Sequence, residues 1–193
     1  MASAGSELVP SPDAATGKIV IAGGFGVGKT TLVASVSEIA PLRTEELITA
    51  TSAGVDDLAG VEGKTTTTVA MDFGRITIDR EMIVYLFGTP GQNRFWFMWD
   101  DLARGALGAV VLVDARRLDV SFAAVDFFEH RGIPFVVAVN CFDGHQVAAL
   151  ADIGAALDLT PGTPITLCDA RDRASTKEVL LTLLHHVLRT AAA

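Results

Sequence analysis

Cysteine is scarce in this chain of 193 residues: Cys141 and Cys168 are the whole supply, with no Cys-x-x-Cys pair and no metal-ligand spacing. That scarcity argues against a disulfide framework or a zinc ribbon and sets the expectation of a reducing, cytoplasmic setting. Long apolar runs are missing too, since no stretch approaches the roughly 18 uninterrupted apolar residues of a membrane span. Positive charge is in deficit: 15 Lys and Arg against 23 Asp and Glu leave a net charge of −8. A sequence-independent binder of nucleic-acid backbones needs the opposite balance, so no nucleic-acid partner is expected. The four histidines, the His185-His186 pair among them, show no ligand spacing. Signals at the two ends are lacking as well. Met1-Ala-Ser-Ala-Gly5 has neither a secretory pattern nor a glycine at position 2, and Arg189-Thr-Ala-Ala-Ala193 holds no prenylation cysteine. The expectation is no direct membrane anchor, with any visit to a membrane made through a partner.

Half the residues are hydrophobic and a fifth are charged, enough to bury one core without staples. Residues 1–16, rich in Ser, Ala, Pro and Gly, read as a disordered lead-in, and 17–190 as a single domain. Strand signals recur at 18–23, 67–78, 82–87, 106–114, 133–140 and 164–168, with helical stretches near 28–40, 94–104, 120–131, 145–158 and 175–189. Ser175-Thr-Lys-Glu178 is a capping box, followed by an apolar face from Val179 to Leu188. Runs such as ALGAVVLVD and IPFVVAVN are continuously apolar, as strands covered on both faces are. Alternating strands and helices then predict a three-layer α/β domain with a mostly parallel six-stranded sheet. One strand must run antiparallel, because Asp79-Arg-Glu81 is too short a link for a crossover between 67–78 and 82–87.

Gly23-Gly-Phe-Gly-Val-Gly28-Lys29-Thr30 matches G-x-x-x-x-G-K-[ST], behind a strand and ahead of a helix. In such a loop Gly24, Phe25, Gly26, Val27 and Gly28 turn their N–H groups on phosphate oxygens. The N–H groups of Lys29, Thr30 and Thr31 add the positive end of the helix. Lys29 would reach the β- and γ-phosphates and the Thr30 hydroxyl would ligate Mg²⁺. The plain alternative is a flexible turn with a solvated lysine.

The strand 133–140 ends in Asn140-Cys-Phe-Asp143. A carboxylate at Asp143 can accept from guanine N1–H and its exocyclic amine, a donor pair that adenine lacks, while Asn140 can bond the other edge and tie this loop to the glycine-rich one. Cys168-Asp169-Ala170-Arg171 closes the next strand, where the Ala170 N–H could donate to guanine O6. An Asx-type turn is the plain reading of the first motif.

With these motifs in this order, residues 17–190 resemble a Ras-like small GTPase, which implies a P-loop NTPase fold of the G-domain type. Asn-Lys-x-Asp has Cys141 in place of lysine, and Ser-Ala-Lys appears as Asp169-Ala-Arg171. The resemblance places a Mg²⁺-binding threonine in Lys64-Thr-Thr-Thr-Thr68, with the spacing to Asp72-Phe73 pointing to Thr68, although any of the four would suit. It also makes Phe87-Gly88-Thr-Pro-Gly91-Gln92 the counterpart of Asp-x-x-Gly-Gln: Gly91 turns its N–H on the γ-phosphate and Gln92 orients the attacking water. Gly88 stands where that pattern has a metal-anchoring aspartate. The same absence marks the bacterial Mgl-type GTPases and the actinomycete GTPases of conservon operons, which the chain resembles most closely. Asp72 and Asp114 are the candidates to replace the carboxylate, and the Mgl-type resemblance favours Asp72.

Arg94-Phe-Trp-Phe-Met-Trp99 is the most aromatic run, readable either as core or as a nucleotide-dependent partner face. No arginine marks the threonine-rich segment; Arg94, Arg116 or Arg117 could serve in its place, with solvated surface charge as the plain reading of all three. The resemblance implies a GTP/GDP switch with slow hydrolysis, Gln92 and Lys29 doing the chemistry, a roadblock-fold regulator and a sensor kinase-like receptor. A nucleotide-bound scaffold without useful hydrolysis and a P-loop ATPase or kinase are the alternatives.

Overall fold

The computed structural model describes residues 9–40, 42–48, 67–91, 97–141 and 149–192, with 42–48 and 67–70 described as backbone alone. Strand β1 (Ala15–Ala22) leads through the glycine-rich loop into helix α1 (Lys29–Val36). Then come β2 (Leu42–Ile48), β3 (Thr67–Thr77), β4 (Met82–Gly88), α2 (Phe97–Ala103) and β5 (Gly108–Val113). The chain continues through α3 (Phe122–His130), β6 (Phe135–Asn140), α4 (Leu150–Ala156), β7 (Ile165–Cys168) and α5 (Arg173–Ala191). Seven strands form one sheet in the order β2-β3-β4-β1-β5-β6-β7.

The three-layer α/β architecture follows the pattern predicted from the alternating apolar runs. β3 is antiparallel to both of its neighbours, as its short link to β4 requires, and every other pair is parallel. β2 is a seventh strand beyond the six expected. LRTEELI carries no continuous apolar run, because an edge strand has one neighbour and need not be covered on both faces.

The lead-in also departs from expectation. Ser11 N–H donates to Arg80 O at 2.7 Å and Ala15 N–H to Glu81 O at 2.7 Å, and Ala15 and Thr16 already pair with β4, so residues 11–16 are tied to the β3–β4 turn. Residues 1–8 of the expected lead-in lie outside the described residues. Composition could not show this, because the order comes from carbonyls in the distant β3–β4 turn. Helix α5 likewise begins two residues before the expected box. The Asp172 carboxylate accepts the Ser175 N–H at 2.8 Å and serves as the N-cap, leaving the Ser175 hydroxyl to accept the Asp169 N–H at 2.9 Å.

Side-chain alternation along β1 divides the core. Ile19 and Ile21 face α1 and α5, whose Leu32, Val33, Val36, Val179, Leu180 and Leu183 cover them. Val20 and Ala22 face the opposite layer, with Trp99 of α2, Phe128 of α3 and Ile153 of α4. Trp99 stacks edge-on against Phe127 at 5.2 Å, while Phe97 is 61% exposed, so the aromatic run divides between core and surface. Its Arg94, Phe95 and Trp96 lie outside the described residues. Among the described residues no helix is long and apolar enough to cross a membrane.

Helix α1 reaches β3 because Gly74 has no side chain: a Cβ there would lie 2.7 Å from Val33 Cγ1 and 3.2 Å from Ser37 Cβ. This close approach seats the second half of α1 against β3, while Thr30 in its first turn bonds Asp72 of the same strand. Gly74→Val is expected to cost about 1–3 kcal/mol of unfolding free energy through overpacking, read by urea denaturation. An unchanged midpoint would contradict this packing account.

Candidate functional site

The glycine-rich loop is built from backbone angles that side chains disfavour. Gly23, Gly26 and Gly28 have φ of 137°, 77° and 105°, in the left-handed region. Two of them are also needed for space, since a Cβ on Gly23 would meet Leu112 O at 2.3 Å and one on Gly28 would meet Asn140 Nδ2 at 2.7 Å. Among the described residues no acceptor takes the N–H groups of Gly24, Phe25, Gly26, Val27 or Gly28. Five successive unpaired amides at a helix start form a concave donor array, and that array fits a polyphosphate. Thr31, on the outer side of α1, is exposed.

Lys29 is 92% removed from solvent and donates to Gly23 O at 2.9 Å and Gly24 O at 2.7 Å. Two of its three donors are thereby held and one remains for an anionic oxygen. Burial pushes its pKa down to about 8, with the Asp72 carboxylate pulling the other way. Gly91 closes the site from above: a Cβ on it would lie 2.8 Å from Lys29 Nζ and 2.9 Å from Phe25 Cα.

A carboxylate from the neighbouring strand stands beside Gly88 and the start of α1. Asp72 pairs with Gly88 in the β3–β4 register, and Thr30 Oγ1 donates to Asp72 Oδ2 at 2.6 Å. A Cβ on Gly88 would stand 2.9 Å from Asp72 Cβ and 3.1 Å from Oδ2, so one carboxylate can use this space and two cannot. A hydroxyl and one carboxylate are hard oxygen donors that fit Mg²⁺, an ion that takes one or two protein ligands and completes its shell with phosphate and water. In keeping with that sparse set, no group of three or more His, Cys, Asp or Glu converges among the described residues.

Asp114 is engaged elsewhere. It is buried at the mouth of β5, where Arg116 forks onto both its oxygens at 2.9 and 2.8 Å, and that bonding holds its carboxyl below the usual range. Thr68 stands apart from Asp72 along the sheet. Its backbone is extended in β3 opposite Leu47, four residues and about 14 Å along the strand from Asp72 at ~3.4 Å per residue.

On the other side of the loop, Asn140 links the two expected base-reading segments. Its Nδ2 donates to Val27 O at 2.9 Å and its Oδ1 accepts the Ala170 N–H at 3.1 Å. The Ala170 amide expected to face a base oxygen therefore serves Asn140 here, because the buried amide side chain needs both partners. Asp169 pairs with Arg171, whose Nε donates at 3.0 Å, and that bond lowers the Asp169 pKa. Cys141 N–H donates to Cys168 O at 2.6 Å, and burial pushes the Cys168 thiol up to about 11. Gln92 and Asp143 lie outside the described residues. Ser175, which carries the Asp169 amide, is a site residue that the capping-box pattern concealed.

Residues 21–190 match the family model described as "Conserved hypothetical ATP binding protein". The chain is 31% identical over 128 residues to an uncharacterized protein, MJ1339, of Methanocaldococcus jannaschii, covering 65% of this chain and 70% of the relative. It is similar in fold to the G domain of the T. maritima FeoB iron transporter, with a TM-score of 0.60 and 17% identity over 92% of this chain and 99% of that one. The apo cytosolic domain of FeoB gives a TM-score of 0.64 and 15% identity, with 90% of this chain and 64% of that chain covered.

The steric exclusion between Asp72 and Gly88 generates a swap test. Asp72→Ala should weaken the Mg²⁺ dependence of nucleotide affinity about 10–100-fold, and Gly88→Asp alone should also impair it. The Asp72→Ala/Gly88→Asp double variant should recover a large part of the loss, measured by titration with fluorescent nucleotide in Mg²⁺ and in EDTA. Wild-type Mg²⁺ dependence in Asp72→Ala would contradict the assignment.

Proposed function

The chain belongs to the family described as conserved hypothetical ATP binding protein and has the fold of a P-loop nucleotide-binding NTPase, and from that premise we propose a Mg²⁺-dependent guanine-nucleotide switch that hydrolyses GTP slowly. The observation that carries the guanine reading is the bridge made by Asn140. It joins the phosphate loop to the 168–171 turn, which supports a base site beside these segments, and Asp143, three residues on in the sequence, is the residue we assign to reading the base. An ionised carboxylate accepts hydrogen bonds and donates none, which suits guanine's two adjacent donors and repels adenine's acceptor edge.

In this reading Lys29 and the loop amides hold the β- and γ-phosphates and neutralise charge that develops during transfer. Thr30 and Asp72 would hold Mg²⁺, which would supply charge compensation for the phosphates. Gly91 lies against Lys29 and Phe25, within reach of a terminal phosphate, and Gln92 follows it as the residue that orients water. Among Ras-like proteins, we place the chain nearest the Mgl-type and conservon-operon GTPases, supported by Gly88 with Asp72 beside Thr30. The proposed partners are a roadblock-fold regulator and a sensor kinase-like receptor, docking near Arg94–Trp99, where Phe97 is exposed. Signalling from the cytoplasm, with membranes reached through such a partner, is part of the same proposal.

A second reading, an adenine-nucleotide hydrolase or kinase, is favoured by the family's description as ATP binding. Competition between GTP and ATP separates the two. The guanine reading expects GTP to be preferred about 100-fold or more, a preference that Asp143→Asn largely removes. Phosphate release should run at about 10⁻⁴ to 10⁻² s⁻¹ and fall further in Gln92→Ala. A preference for ATP would overturn the guanine assignment, and phosphate release unchanged in Gln92→Ala would overturn the catalytic one.

A further inference from the structure

The segment after β5 grips the outer side of the phosphate loop. Arg117 Nη2 donates to Phe25 O at 3.1 Å, and a Cβ on Gly26 would lie 3.7 Å from the same nitrogen. Beside this contact Val120 presses on Gly24, where a Cβ would meet Val120 Cγ2 at 2.6 Å. The guanidinium is itself anchored: Arg117 Nε lies 3.8 Å from Oδ2 of Asp114, and the Arg117 N–H donates to Asp114 O at 2.9 Å. Asp114 is 2% exposed and sits directly beyond β5, the strand paired with β1. Arg117 is thus tied to the sheet at one end and to the loop at the other.

The loop is where such a tie has a consequence. Phe25 O and Gly26 N–H belong to one peptide unit, and no peptide in the described chain is cis. In a trans peptide the carbonyl and the N–H point in opposite directions. Drawing Phe25 O toward Arg117 therefore turns the Gly26 N–H away from Arg117. Gly26, at φ 77°, has no Cβ to resist a rotation of that peptide, so the backbone alone does not fix the plane. A cation on the carbonyl also polarises the peptide and strengthens the N–H as a donor.

We propose that Arg117 is a positioning residue for phosphate binding, holding the 25–26 peptide so that the Gly26 amide points at the bound nucleotide. This inference rests on the reading of the loop as a nucleotide site. It replaces the expectation that Arg117 is merely solvated charge: half its side chain is exposed, but its guanidinium is engaged. The residue touches no reacting atom in this arrangement and acts through the peptide it holds.

The test uses the full chain, with GDP and Mg²⁺ as the probe and two readouts: affinity, and the ³¹P resonance of the bound β-phosphate. Arg117→Ala should lower GDP affinity about tenfold, the loss of one charge-assisted hydrogen bond, and shift the β-phosphate resonance. Arg117→Lys, which keeps a cationic donor, should recover both in large part. The half-exposed position means that both variants should melt near the wild-type temperature. GDP affinity and β-phosphate resonance unchanged in Arg117→Ala would overturn the inference, as would Arg117→Lys behaving like Arg117→Ala. A wild-type chain that binds neither GDP nor ADP would overturn the nucleotide-site reading and this inference with it. If ADP binds in place of GDP, only the guanine assignment falls, and the same comparison made with ADP decides the role of Arg117.

Discussion

A single carboxylate must stand beside the hydroxyl that follows Lys29, and the short bond from Thr30 Oγ1 to Asp72 Oδ2, 2.6 Å, shows where this chain puts it. Three features of the fold converge on that contact. The β3–β4 pairing sets Asp72 across from Gly88. Gly74, two residues on along the same strand, lets α1 approach. Gly88 gives up the volume that the Asp72 side chain fills. In the proposed reading the carboxylate oxygen chemistry comes from β3, and a side chain at position 88 would crowd Asp72.

The lysine works under a different constraint. Enclosing an ammonium costs solvation, and its pKa falls to about 8 in spite of two carbonyl acceptors and the Asp72 charge. A folded-state value below the unfolded one means that the charged form is disfavoured by folding. Between pH 8 and the ordinary lysine range the unfolded chain holds the proton more tightly, so this group makes folding more favourable as pH rises there. An anionic phosphate reverses the sense, because it stabilises the charge that burial penalises. The cost of burying Lys29 is in this way offset by the ligand the loop is shaped to hold.

Much of this was legible in the sequence, and the rest was hidden for identifiable reasons. The glycine-lysine motif announced the loop because its residue types are forced by left-handed backbone and close approach, as at Gly23 and Gly28. The apolar runs of β5 and β6 announced buried strands, and all twelve of their residues are buried. Edge strand β2 left no such trace. The order of residues 11–16 depends on carbonyls of Arg80 and Glu81, a long-range match that local composition does not encode. Asp72 could be named only alongside Asp114, and what separates them is tertiary: one faces Thr30, while the other is held by arginines. Arg117 carried no signal at all, because a surface arginine and one seated on a loop carbonyl look alike in sequence.

The most direct test of the central claim is the nucleotide content of the purified full-length chain, measured by chromatography of the denatured protein before and after EDTA treatment. The account predicts about one guanine nucleotide per chain, retained in Mg²⁺ and released by the chelator. A chain that carries no nucleotide and takes none up when GDP and Mg²⁺ are supplied, or one whose nucleotide is held equally well with and without the chelator, would contradict it.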